Sequence, residues 1–102
     1  MDAGLKQTIN EINQIYAPEG FTIVGVFGSH ARGDSTIQSD IDFLYRLSEK
    51  AINKYPGWDI FLLYERVKND LELRTGKRVD LADENGLSKT GQRFILPAVE
   101  YV

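Results

Sequence analysis

The chain has no cysteine, one histidine, one tryptophan and three prolines among its 102 residues. Without cysteine it can hold no disulfide framework, no thiolate nucleophile and no Cys-ligated zinc or iron–sulfur site. His30 is alone, so no second histidine is there to build a metal cluster with it. Long apolar runs are also missing: the longest, Ile60-Phe61-Leu62-Leu63-Tyr64, falls far short of the ~20 residues that a membrane span requires. Met1-Asp2-Ala3-Gly4-Leu5-Lys6 shows neither the basic start nor the apolar stretch of a secretory signal, so a cytoplasmic location is expected. Twelve Lys and Arg against fifteen Asp and Glu leave a net charge of −3. A protein that grips a nucleic-acid backbone usually carries a basic excess or stripe, and direct nucleic-acid binding is therefore not expected. A small polyanion such as a nucleotide is still compatible with this balance, because bound metal ions can supply positive charge locally.

What the chain does have is strong periodicity. Its length suits one domain spanning residues 1–102, with enough apolar content for a modest core. Leu5, Ile9, Ile12 and Tyr16 recur at helical spacing, which predicts an amphipathic helix over 2–16, capped by Asp2 and stopped at Ala17-Pro18-Glu19-Gly20. Residues 21–27 are β-branched and aromatic with apolar side chains on both faces, as in a central strand. A loop rich in Gly and Ser, with one helical turn at its start, follows over 28–39. Ile41 to Arg46 reads as a second strand. Tyr55-Pro56-Gly57 marks a turn, and the apolar stripe Ile60, Leu63, Tyr64, Val67 and Leu71 predicts a helix over 59–74 with Gly76 as its C-cap. Val79 and Leu81 mark a third strand, and residues 88–102 begin as a helix that Pro97 interrupts. The predicted class is α/β (α+β): a small mixed sheet of three or more strands flanked by helices.

The stretch from Gly28 to Asp42 joins two devices. Gly28-Ser29 directly follows the central strand; glycine lets a phosphate approach the backbone, and free N–H groups together with the Ser hydroxyl can hold it. Asp40-x-Asp42 then puts two carboxylates on one face of a strand, roughly 6.5–7 Å apart at Cα, where their oxygens can converge on one hard cation. Asp80, in the neighbouring strand, offers a third. If it shares that face, three carboxylates could hold two Mg²⁺ ions ~3.5–4 Å apart, the clamp used for in-line phosphoryl displacement. Taken singly, a Gly-Ser is a turn and an Asp-x-Asp a solvated strand face. Their occurrence together and in this order points to a metal–nucleotide site.

Gly28-Ser29, ten residues, then Asp40-Ile41-Asp42 resembles the signature of the nucleotidyltransferase superfamily typified by DNA polymerase β. The fuller string Gly-Ser-x-Ala-Arg-Gly-Asp…Ser-Asp-Ile-Asp, with the later Thr75-Gly-Lys-Arg-Val-Asp-Leu81, is similar to its minimal nucleotidyltransferase (MNT) branch. The resemblance implies that fold, a nucleoside triphosphate held through its β/γ phosphates by Gly28 and Ser29, and two Mg²⁺ ions held by Asp40 and Asp42. It implies that Asp80 binds the metal near the attacking hydroxyl and helps to deprotonate it. Ser39 would orient the loop. Arg32 either reaches a phosphate or pairs with Asp34. His30 falls at a variable position of the motif and reads as an incidental loop residue. Tyr55 and Trp58 read as packing at a helix entrance, with base stacking or contact with a partner as alternatives.

The chain runs only about twenty residues past Asp80, so the acceptor is expected on another molecule. The MNT resemblance implies an all-helical HEPN partner, often within a toxin–antitoxin system, and transfer of AMP from ATP to a tyrosine hydroxyl of that protein. Two alternatives stand beside it: a non-catalytic module that masks a HEPN partner, and transfer to a small molecule such as an aminoglycoside. Homo- or hetero-oligomer formation accords with an acceptor site that one chain leaves incomplete.

Overall fold

A computed structural model of the chain describes residues 1–33, 35–36 and 39–102. Asp2 opens helix α1 (Ala3–Tyr16) by accepting a 2.7 Å hydrogen bond from the Gly4 amide, which satisfies one of the amides a helix start leaves free. Strand β1 (Phe21–Phe27) follows, then the four-residue helix α2 (Ser29–Arg32) and strand β2 (Ile41–Leu47). Helices α3 (Glu49–Lys54) and α4 (Asp59–Thr75) lead to strand β3 (Val79–Asp83), and helix α5 (Lys89–Phe94) precedes a two-residue strand β4 (Glu100–Tyr101). The sheet order is β3-β2-β1-β4. β1 runs antiparallel to both β2 and β4, while β2 and β3 are parallel, so the sheet is mixed.

One face of the sheet carries the main core. Leu5, Ile9 and Ile12 of α1 and Leu63, Val67 and Leu71 of α4 pack with Ile23, Val26, Ile41, Phe43 and Val79 of the strands. Because side chains alternate along a strand, Ile41, Phe43 and Tyr45 point into this core and Asp42 and Leu44 point to the opposite face. A β-bulge between Ile23 and Gly25 restores the alternation of β1 with its neighbour. Asn13 covers the bulge: its Oδ1 accepts from the Ile23 amide at 2.8 Å and its Nδ2 donates to the Ile23 carbonyl at 3.0 Å.

Three differences from the sequence-based reading have physical causes. Asp40 lies just before β2 rather than on it, since the strand begins at Ile41, whose amide donates to the Arg78 carbonyl. Residues 49–54 form a helix that buries only Ala51, too little for an apolar period to register. The C-terminal segment folds back as β4 against Gly25, where a Cβ would stand 2.6 Å from the Glu100 carbonyl oxygen; only glycine admits that approach. Among the described residues no helix is long and apolar enough to cross a membrane.

Tyr45 closes the core at its far end, stacked on Phe21 with ring centroids 4.5 Å apart. Burial, then the charge of Asp83 and of Tyr64, pushes its phenol up to about 12 from 10.0. The folded state therefore favours the neutral phenol; that stability is complete below pH ~10 and is lost as pH rises through ~12, at most about 2.7 kcal/mol. In circular dichroism scans from pH 9 to 12, Tyr45→Phe is expected to flatten the alkaline loss of stability, and an unchanged profile would refute this account.

Candidate active site

Parallel pairing of β2 with β3 sets Asp42 directly beside Asp80. Residues paired in register project to the same side of a sheet, so both carboxylates leave the face opposite the core. Phe27, paired with Asp42 from the other side, completes the row. Asp42 is half-buried, and Asp40 and Asp80 are exposed. Burial pushes the Asp42 carboxyl above its usual range, and the charges of Asp80 and Asp40, with a side-chain hydrogen bond to Asp80, push the same way; His30 opposes them. The site is thus an acidic cluster around one partly desolvated carboxylate, an arrangement that costs stability unless a cation neutralises it.

Gly28 forms the wall beside Asp42. Its φ of +71° and ψ of −150° belong to a region that only glycine occupies readily. A Cβ there would lie 2.3 Å from Asp42 Oδ2, so the bare backbone is what leaves room for the carboxylate. Ser29 begins α2, whose first turn is closed by the Arg32 amide donating to the Gly28 carbonyl at 3.1 Å. Farther along the loop, Ser39 Oγ accepts from the Thr36 amide at 2.8 Å, and the Ser39 amide donates to the Thr36 carbonyl. Lys77 Nζ donates to the same carbonyl at 3.3 Å, tying the entry of β3 to the loop. Arg32 is exposed at the end of α2; Asp34, its proposed partner, lies outside the described residues.

The donor set fits a hard divalent cation: all-oxygen, anionic, and concentrated where the Gly28 backbone yields space. Among the described residues no three such side chains are gathered into a ready coordination shell. Asp42 and Asp80 are the adjoining pair, and Asp40 approaches from outside the strand. His30 is the residue that sequence reasoning passed over. Its Nε2 is buried with no hydrogen-bond partner among the described residues, and its imidazole bears on the charge of Asp42. The only hint in the sequence was its place three residues after the central strand. A cavity of about 280 Å³, lined by Thr8, His30, Ile41, Arg74 and Lys77 among others, lies on the core side, and neither Asp42 nor Asp80 lines it.

Comparison with known proteins agrees with this geometry. The family described as polymerase beta, nucleotidyltransferase matches residues 7–98. A solved structure described provisionally as a minimal nucleotidyltransferase superposes with a TM-score of 0.76 at 30% identity, covering 100% of this chain and 97% of that one. No curated protein gives a significant match.

Proposed function

Since the chain belongs to the polymerase β-type nucleotidyltransferases, in their minimal branch, we propose that it moves AMP from ATP onto a tyrosine hydroxyl of a HEPN partner and thereby acts as an antitoxin. The observation that carries the reading is the pairing of Asp42 with Asp80 on one face, against the bare backbone of Gly28. In this reading Gly28 and Ser29 hold the β and γ phosphates. Asp40, Asp42 and Asp80 would hold two Mg²⁺ ions, which when bound neutralise charge on the triphosphate and on the departing pyrophosphate. Asp80, exposed at the open side of the pair, takes the proton of the incoming hydroxyl as its oxygen bonds to the α-phosphorus and the Pα–O bond to pyrophosphate breaks. Phe27, half-buried, borders the acidic row with apolar surface, which limits water beside the reacting phosphorus.

The test is transfer of label from α-labelled ATP, with Mg²⁺, to the product of the adjacent gene, which on this reading is a HEPN protein. Label on that protein, absent with Asp42→Asn and with Asp80→Asn, is the expected result. A tight complex that never becomes labelled would make the chain a masking module instead, and label found only on an added aminoglycoside would move the acceptor to a small molecule.

A further inference from the structure

Away from the acidic face, a groove of about 480 Å³ opens between the end of β2 and the start of α4. Phe21 and Tyr45 form its floor, Ile60, Phe61 and Tyr64 one wall, and Asp83 is its only charged group among the described residues. The rings form a continuous series: Tyr45 meets Tyr64 edge-on at 5.9 Å, Tyr64 stacks with Phe61 at 6.3 Å, and Phe61 meets Trp58 edge-on at 5.7 Å. Along that series burial gives way to exposure, from Phe21 at 1% to Phe61 at 47% and Trp58 at 79%. Trp58 therefore does not pack at the helix entrance as the sequence suggested; it stands in solvent beside exposed Leu62.

We infer that this groove docks a protein partner that presents a cationic side chain flanked by apolar ones. Asp83 Oδ1 accepts from the Asn85 amide at 2.9 Å, and among the described residues no cation pairs with it. Asp83 is paired in register with Tyr45, so it projects to the same side of the sheet as that floor residue and lines the groove with it. An uncharged apolar occupant would strip water from that carboxylate without replacing it, which disfavours such an occupant. A nucleotide would meet an anion and no cation. A guanidinium or ammonium satisfies the carboxylate and the ring faces together. The exposed Trp58, Phe61 and Leu62 then extend the contact beyond what a small cation could cover, with the aromatic anchors typical of protein interfaces. The inference is independent of the chemistry at Asp42.

Trp58 is the only tryptophan and meets Phe61 of the groove wall edge-on, so its fluorescence reports on an occupant of that wall. The purified full chain is titrated with acetyl-Leu-Arg-Leu-amide and with the isosteric, neutral acetyl-Leu-citrulline-Leu-amide. The expected result is saturable quenching or shift with the arginine peptide, weakened about tenfold or more by the citrulline replacement and by Asp83→Asn. Asparagine retains an oxygen for the Asn85 amide, and an unchanged Tm checks that the fold persists. Phe61→Ala, at an exposed position, is expected to weaken binding comparably. Equal binding of the two peptides, indifference to Asp83→Asn, or no saturable response would overturn the inference. So would tetramethylammonium binding as tightly as the peptide, which would make the groove a pocket for small cations.

Discussion

Asp42→Asn is expected to raise the thermal stability of the metal-free protein while lowering nucleotidyl transfer by at least about 10³-fold, on the scale of removing a group that stabilises transition-state charge. The two effects share one cause. Folding half-buries Asp42 beside Asp80 and within the field of Asp40, which disfavours its ionised form. A carboxyl whose pKa is raised by folding contributes stability below its unfolded value of 3.8 that is lost as pH rises through the folded one. The asparagine variant lacks that loss, so its advantage in Tm should be absent at pH 3.5 and grow towards pH 7. Mg²⁺ with a non-hydrolysable ATP analogue reverses the order: at a hundred times the dissociation constant a ligand stabilises the wild type by about 2.7 kcal/mol, and the variant should gain little. Asp40→Asn, at an exposed position ahead of the strand, should lose transfer with a smaller change in apo stability. If Asp42→Asn melts below wild type at pH 7 without metal, the crowding argument is wrong.

That prediction depends on a relation the sequence could only suggest. Local signals were readable: Asp2 caps α1, Gly76 ends α4 in the left-handed region, and the apolar stripe of α4 buries Leu63, Val67 and Leu71. Each follows from the chain's own neighbours and so survives in a short window. The alternation of Ile41 to Tyr45 likewise showed which side of β2 carries Asp42. Register between strands is different. Whether Asp80 lands beside Asp42 depends on how the α4 connection returns the chain to the sheet, which no local pattern encodes. The bulge at β1 depends on Asn13 from α1, and β4 depends on the missing side chain of Gly25. Both are long-range facts, and β4 at two residues is too short to show any period. Trp58 misled for a related reason: a tryptophan at a helix start is read as core unless the surface that would cover it is known to be absent.

Gly28→Ala is expected to damage both fold and activity although it leaves every charge in place, costing about 2–4 kcal/mol of stability and at least about 10²-fold in transfer. Two independent terms add. The backbone at φ +71°, ψ −150° is strained for any residue with a Cβ, and that Cβ would sit 2.3 Å from Asp42 Oδ2. The terms can be separated within the same chain. Gly33 has φ +78° but open space where its Cβ would go, so Gly33→Ala carries conformational strain alone, about 1 kcal/mol. The excess of Gly28→Ala over Gly33→Ala then contains the contact with Asp42 together with the harsher strain of ψ −150°, a region more confined to glycine than the left-handed one at Gly33 (ψ 14°). Adding Asp42→Ala should recover the contact's share of that excess, because the atom that collides is gone, and the double-mutant cycle, which cancels the backbone strain, should show a coupling of at least about 1 kcal/mol. Strictly additive losses in urea unfolding would mean that the carboxylate does not rest against Gly28, and the cradle on which the proposed chemistry depends would have to be drawn elsewhere.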